Sequence, residues 1–519
     1  MTQNISNLRA DLNGVPVLVV GAGIMGAGIA QIAAQAGHPV LLHDAREGAA
    51  AEAKLKLGKS LEALVAKGKL TAESVAATLD RIEPIATLAQ AAGARLAIEA
   101  IVEVLDAKRA LFRELENLLD PAAVLATNTS SISVTAIANG LARPQQLVGM
   151  HFFNPVPLMR LVEVISGLQT APAVAAAIFE ISKAWGKVPV MARSTPGFIV
   201  NRIARPYYAE ALALLQEQAA TPAVLDACLR AAGFRMGPCE LMDLIGHDTN
   251  FSVTRSVFEA NFGDKRFVPS LVQRELVDGG LLGRKSGRGF YDYGPGAAKV
   301  ELPAFVPAEL PAAQQVRVMG AGALSDRIAA ALARCNRAYE RDAQARWIGL
   351  EVDGAQLRLS DGRTATQLAA ESGVADLAVF DLPLAGGAAS LPQPLAWATA
   401  AQASLAWQAG AARWLCALGH HAQQIVDVPG LVVARTIAML INEAADAVWQ
   451  GVCSAEGADA AMKLGVNYPA GPFEWLAQWD SAQVCVLIDA LDQHYRGERY
   501  RVSPGLRRQG WIATSGVHA

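Results

Sequence analysis

The sequence lacks most features that would take it out of an ordinary globular class. Cysteine is sparse, six in 519 residues. No two cysteines form a C-x-x-C pair, and none has histidine neighbours at zinc spacing. Cys228, Cys239, Cys335, Cys416, Cys453 and Cys485 therefore read as reduced, mostly buried thiols, and no metal is expected. No run of about 18 uncharged apolar residues has the flanks of a membrane span. Residues 1–13 are polar, without the charged start and apolar core of a signal peptide. There is no basic tail or Lys/Arg run to offset a formal net charge of −3, which argues against nucleic acid as the main partner. The expected setting is cytoplasmic, and an anionic substrate would be held by local groups rather than a global field.

What is present is apolar: 52% of residues, with Ala, Gly, Leu and Val dominant. At about 100–200 residues per domain, the length suggests three or four domains. PVLVVG (16–21) reads as a strand, followed by a small-residue helix from about Met25 to Gln35 and a second strand ending at Asp44. Charged helical sequence fills 47–80. Strands recur at Leu96–Ile98, Val124–Thr127 and Leu147–Phe152, so the first domain reads as a parallel sheet covered on both faces. From Thr195 helices take over. RKSGRGFYDYGPG (284–296) reads as a domain end, and the Pro/Ala-rich 297–314 as a linker.

The later sequence is partly a repeat. PGFIVNRIARPYYAEAL returns 233 positions on as PGLVVARTIAMLINEAA, and the match of 196–243 with 429–480 marks a duplicated domain. Upstream of the second copy, VRVMGAGALSDRIAAAL (316–332) resembles a worn dinucleotide turn. Eight of nine Trp residues follow residue 340 and read as aromatic core.

Gly21-Ala-Gly23-Ile24-Met25-Gly26 fits G-x-G-x-x-G between a strand and a helix. The glycines permit the tight turn, close approach of a pyrophosphate and close helix–strand packing. The phosphates would meet a helix N-terminus. Asp44 would accept from ribose hydroxyls and repel a 2′-phosphate, favouring NAD over NADP, although FAD proteins share the fingerprint. HFFNP (151–155) ends a strand, the edge where such sheets bind ligands. Glu163 lies twelve residues on, in the apolar run LVEVI, where a carboxylate is costly unless paired. A His151–Glu163 pair would explain both residues as a general base and its orienter. A lone histidine is more often structural, and spacing alone leaves the two readings open.

GAGIMGAGIA, EAIVE, NTSSIS, HFFNPVPLMRLVEVI, TPGFIVNR and GRGFYDY, in this order, resemble the 3-hydroxyacyl-CoA dehydrogenase family over about residues 14–294. The helical part recurs at 429–519. The two-copy form, with STPGFIVNRIARPYY and DLIGHDTNFSVTRSVF, is similar to the branch acting on 3-hydroxyadipyl-CoA or 3-hydroxybutyryl-CoA in phenylacetate catabolism. The resemblance implies four domains: a Rossmann-type NAD-binding domain (1–194), an all-α domain (195–296), a reduced Rossmann-like domain without a catalytic motif (310–427), and a second all-α domain (428–519). It implies NAD-dependent oxidation of an (S)-3-hydroxyacyl-CoA to the 3-oxoacyl-CoA. His151 would be the base and Glu163 its partner, with Ser130 and Asn201 holding the substrate hydroxyl. Glu103, Lys108, Ser130, Asn154 and Lys285 would meet NAD besides the glycine turn and Asp44. Ser60 and Lys67, in KSLEALVAKGK, would meet coenzyme A, on a stretch that otherwise reads as a solvated face.

In the second copy Ala434 stands for Asn201, Ser325 for the third glycine, and no HFFNP occurs, so one active site is expected. The repeat would then be architectural, an internal counterpart of the helical domain through which shorter members dimerise, leaving homo-oligomers open. Alternatives are a general β-oxidation dehydrogenase, a dehydrogenase of free acids, and a non-catalytic NAD-binding relative.

Overall fold

Short, wholly apolar strands such as Val17–Val20 are buried on both faces, the pattern of a sheet with helices on each side. In the computed structural model this expectation becomes an eight-stranded sheet. The structure describes residue 12 and residues 14–298, 300–384 and 392–515, the side chains of 514 and 515 excepted. The polar start, 1–13, thus lies outside the described residues except for Leu12. Two units partition the chain: Met1–Arg202 with Gln450–Val466, and Ile203–Trp449 with Asn467–Ala519. None of its helices is long and apolar enough to cross a membrane, among the described residues.

The first unit runs β1 (Val17–Val20), α1 (Ile24–Gln35), β2 (Val40–His43), α2 (Ala49–Ala66), α3 (Ala72–Asp80), β3 (Ile82–Pro84), β4 (Leu96–Glu99), α4 (Leu105–Leu118), β5 (Val124–Thr127), α5 (Val134–Ala138), β6 (Leu147–Phe152), β7 (Leu161–Ser166), α6 (Pro172–Ala184) and β8 (Val188–Arg193). The order is β3-β2-β1-β4-β5-β6-β7-β8. Every neighbouring pair is parallel except β6–β7. That antiparallel pair sets His151 directly across from Glu163. The helix Ala455–Gly465, from the second helical copy, packs on β7 and β8. Its backbone comes close enough that a Cβ at Gly465 would lie 2.7 Å from Leu161 Cδ2 and 3.1 Å from Val200 Cγ2. Just before it, Val452 O accepts from Arg193 N on the edge strand at 2.9 Å.

The short helix α7 (Val200–Ile203) ends where the second unit begins. There follow α8 (Arg205–Gln216), α9 (Pro222–Ala231), α10 (Pro238–Ile245), α11 (His247–Ala260) and α12 (Leu271–Asp278). A second sheet is built from β9 (Val316–Met319), β10 (Glu340–Asp342), β11 (Gly349–Val352), β12 (Ala355–Leu359), β13 (Leu377–Phe380), β14 (Gln393–Thr399) and β15 (His420–Gln424), in the order β10-β9-β11-β12-β13-β14-β15. Its helices are α13 (Ala323–Arg334), α14 (Ala365–Ser372) and α15 (Leu405–Ala417). The last helices are α16 (Val433–Trp449), α17 (the Ala455–Gly465 helix of the first unit), α18 (Pro472–Gln478), α19 (Ser481–Tyr495) and α20 (Pro504–Ser515). Helix α16 is buried along nearly its whole length. Its Arg435 Nε donates to Glu210 of α8 at 2.9 Å, and Arg266 Nη1 donates to its Asp446 at 2.5 Å. Helix α9, from the first copy, packs on β14 of the second sheet.

Candidate functional site

The glycine turn is shaped by what each residue meets. Gly21 has φ +106°, and a Cβ there would lie 2.4 Å from Ala100 O. A Cβ at Gly26 would lie 1.7 Å from Gly21 O, so helix and strand touch through backbone. Gly23 has open space where its Cβ would be, and α1 starts beside it without a side-chain cap or an acidic residue in its first turn. Such a turn leaves N–H groups for phosphate oxygens. Asp44 braces it, Oδ2 accepting from Ala22 N at 2.7 Å and Oδ1 from Arg46 N at 2.9 Å. A cavity of about 460 Å³ opens here, lined among others by Gly23, Ile24, Lys56, Ser60 and Asn154. A bare glycine face, an uncapped helix start and a carboxylate at the end of the next strand fit a dinucleotide.

The loop 128–131 is organised by two carboxylates, the buried Glu99 and the more exposed Glu103. Glu103 Oε1 accepts from Thr129 Oγ1 at 2.6 Å, Ser130 N at 2.9 Å and Ser131 N at 3.1 Å. Lys108 is 1% exposed, with Nζ 2.6 Å from Glu99 and 3.2 Å from Glu103. Burial alone would raise the pKa of Glu103, but Lys108 and the donors Thr129 and Ser130 outweigh it and hold it below 4.5. The sunken ammonium of Lys108 thus acts by fixing Glu103 and the loop. Asn128 Oδ1 accepts from Phe152 N at 2.9 Å, tying that loop to the histidine strand.

His151 and Glu163 stand side by side in strand register. His151 Nδ1 is 2.6 Å from Glu163 Oε2, and both residues are buried. The other carboxylate oxygen, Oε1, accepts from Ile199 N at 3.0 Å and Val200 N at 2.9 Å. The glutamate that orients the imidazole therefore also seats the TPGFIV turn. Asn201 follows that turn, and its Nδ2 donates to Ser130 O at 3.4 Å. His151 packs 4.5 Å from the Phe153 ring. Ser130, His151, Glu163 and Asn201 are thus gathered in the first unit by hydrogen-bonded backbone.

Of the remaining sequence candidates, Ser60 is exposed on α2, lines the glycine cavity and donates to Lys56 O at 3.0 Å. Lys67 is exposed just past the end of α2. Lys285 lies in the second unit, its Nζ 2.5 Å from Asp248 Oδ1. Sequence reading missed Lys56, which lines the cavity one helical turn before Ser60, and Asn128, Glu99 and Cys453. The first carried a signal, basic and hydroxyl groups at i and i+4 of one helix. Cys453 carried none, because it arrives from the second copy. Burial first, then Glu163, pushes its thiol up to about 12.

In the second sheet the turn Gly320–Ser325 is reproduced, with Gly320 N donating to Asp342 O as Gly21 N donates to His43 O. The residue after that acceptor is Ala343, where the first sheet has Asp44. Ser325 Oγ is turned inward onto Met319 O at 3.1 Å. At the end of β13, Asp381 accepts from Val432, Val433 and Ala434 N at 2.9, 2.6 and 2.8 Å.

Residues 16–195 match the NAD binding domain of 3-hydroxyacyl-CoA dehydrogenase. Residues 197–293 and 430–510 match its C-terminal domain. Residues 357–429 match the reduced Rossmann-fold domain of 3-hydroxybutyryl-CoA dehydrogenase. The chain is 44% identical over 503 residues to 3-hydroxyadipyl-CoA dehydrogenase of Escherichia coli K12, covering 96% of this chain and 98% of that one. A solved structure of 3-hydroxybutyryl-CoA dehydrogenase from the same organism superposes with a TM-score of 0.86 at 43% identity, over 97% of this chain and 100% of that chain. 3-Hydroxybutyryl-CoA dehydrogenase of Clostridioides difficile, 40% identical over 276 residues, is covered to 98% by only 53% of this chain.

Proposed function

Because the chain belongs to the 3-hydroxyacyl-CoA dehydrogenase family, we propose that it uses the His151–Glu163 pair to oxidise (S)-3-hydroxyadipyl-CoA to 3-oxoadipyl-CoA with NAD. Membership makes it an NAD-dependent oxidoreductase. The six-carbon dicarboxylic substrate is our reading, supported by likeness to the Escherichia coli relative over nearly the whole chain; a place in phenylacetate catabolism and a cytoplasmic setting extend that reading. The observation that carries the chemistry is the divided carboxylate of Glu163, one oxygen on His151 and the other on the turn that leads to Asn201.

NAD, when bound, supplies the acceptor for the hydrogen and electron pair leaving C3. His151 does the proton work. With Nδ1–H donating to Glu163, the lone pair lies on Nε2 and can take the hydroxyl proton. The ring then becomes a cation, which the buried carboxylate 2.6 Å away stabilises. Ser130 and Asn201 would hold the substrate oxygen as it becomes carbonyl-like. Gly21, Gly23, Ile24, Met25 and Gly26 would receive the pyrophosphate, and Asp44 the ribose. Glu103, steadied by Lys108, and Asn154 would frame the nicotinamide end. Lys285 remains a proposed cofactor residue, and Ser60 and Lys67 proposed coenzyme A contacts.

The second helical copy would serve as an internal partner, a reading supported by α17 lying on β7 and β8 and α9 on β14. NADH formation measured over a panel of CoA thioesters tests the function. The highest kcat/KM is expected for 3-hydroxyadipyl-CoA. A higher value for 3-hydroxybutyryl-CoA moves the assignment to the reading favoured by the solved Escherichia coli structure. No NADH from any 3-hydroxyacyl-CoA would return the non-catalytic alternative.

A further inference from the structure

Three charged side chains line the glycine cavity, Arg46, Glu52 and Lys56. Arg46 stands two residues past Asp44, on the loop between β2 and α2, and its backbone is held from both sides. Its N donates to Asp44 Oδ1 at 2.9 Å, and its O accepts from Ala49 N at 3.1 Å. From there the guanidinium reaches forward to Glu52 in the first turn of α2. Nη1 donates to Oε1 at 3.3 Å and Nη2 to Oε2 at 2.9 Å, a two-pronged pair. The hydrogen bond from Arg46 lowers the Glu52 carboxyl below its ordinary value, so both groups are charged at neutral pH.

The pair adds little to the fold. Its side chains are 64% and 51% exposed, and solvent screens such a contact. What it changes is the charge offered to the cofactor. In dinucleotide-binding domains an arginine near the end of the second strand accommodates the 2′-phosphate of NADP. A guanidinium suits that role because its fork of donors matches phosphate oxygens. Here the fork is already filled by a carboxylate, and the carboxylate lines the same cavity.

We infer that Glu52 is a second determinant of cofactor choice, holding the guanidinium of Arg46 so that a 2′-phosphate finds no counter-ion there. The inference rests on the reading of Asp44 as the residue that receives the ribose. Asp44 disfavours the phosphate by its own charge, whereas Glu52 acts through Arg46 and is a positioning residue. The 2′-hydroxyl of NAD carries no charge, so NAD is indifferent to where Arg46 points. Loss of Glu52 therefore helps one dinucleotide and leaves the other unchanged, a split that damage to the loop would not produce.

Fluorescence titration with NADH and NADPH reads this without turnover. Wild type should hold NADH more tightly. E52A should tighten NADPH about 5- to 10-fold, between the worth of an exposed ion pair and that of a hydrogen bond to a charged group, and leave NADH within about twofold. E52Q, whose amide oxygen still accepts one bond, should show a smaller gain, and R46A/E52A should show none. Equal wild-type affinities for NADH and NADPH overturn the Asp44 reading itself. A wild-type preference for NADH with NADPH affinity unchanged in E52A overturns the role of Glu52 alone. A gain that persists in R46A/E52A overturns the route through Arg46 and leaves only repulsion by the carboxylate. Equal changes for both dinucleotides in E52A overturn the inference as well and assign the pair to the shape of the loop.

Discussion

The two halves share a device and differ in what they attach to it. In each, the Pro-Gly turn places an apolar residue in left-handed backbone, Phe198 at φ 48° and Leu431 at φ 50°, and the next amides fall on a buried carboxylate. The second half spends both oxygens of Asp381 on backbone amides. The first spends one oxygen of Glu163 that way and gives the other to His151. The clamp is therefore architecture common to both copies, and the imidazole is the addition that, in the function proposed above, would make one of them a reaction centre. The sheets differ in the same direction. β1 lies between parallel β2 and β4, the arrangement whose diverging loops open a ligand crevice. β9 lies between parallel β10 and antiparallel β11, and the crossover beside its turn is replaced by the hairpin β11–β12.

Removing the imidazole should separate the halves most sharply. H151A is expected to lower kcat by about 10²- to 10⁴-fold, the usual contribution of a general base, while NAD affinity measured by calorimetry stays near wild type. A kcat within a few-fold of wild type would make the first clamp as inert as the second. Next comes E163Q, whose amide oxygen can still accept from Ile199 and Val200 but leaves the imidazolium without a carboxylate. We expect kcat to fall on the order of 10- to 100-fold with little change in melting temperature. A variant that loses stability and keeps kcat would reduce Glu163 to the role of Asp381. The mirror experiment is D381A, which leaves buried amides unmet and should cost about 1–3 kcal/mol in urea unfolding at nearly unchanged kcat. A catalytic loss as large as that of E163Q would dissolve the distinction between the copies.

The smallest effect concerns Glu103, for which the second half has no counterpart in a loop of the NTSS kind. Its pKa lies below 4.5 in the folded chain, so its stabilising contribution is complete above that pH and is lost as the pH falls through the folded value. The stability gap between wild type and E103Q should therefore narrow as the pH drops below about 4.5. A gap that holds constant or widens would mean that the loop is not organised by the ionised carboxylate.

Much of the first unit was legible because its signals are local. The glycine turn, Asp44 and the strands ending at Thr127 and Phe152 each occupy a few consecutive residues, and the family motifs fixed the rest. The antiparallel register of β6 and β7 was only implied by the apolar run around Glu163. Short β3 and the edge strand β8 gave too little periodicity to stand out. The second sheet, apart from β9, was hidden for a similar reason, since its strands mix parallel and antiparallel neighbours. Trp397 and Trp414 are fully buried as aromatic core, whereas Trp449 and Trp511 are 52% and 67% exposed. The placement of α17 on the first sheet depends on contacts across more than 250 residues, and no pattern within either segment announces them.

That placement bears on how the chain is made. β8 is complete at Arg193, but Val452, which covers its last amide, emerges 259 residues later. At the usual pace of synthesis, about 5–20 residues per second, the wait is roughly 13–50 s. During that interval a nascent first domain shows an uncovered strand edge on the ribosome, an invitation to pair with another chain. Its sheet edge can be sealed only when most of the message has been read, so the finished site is a late product of translation although its residues are made early.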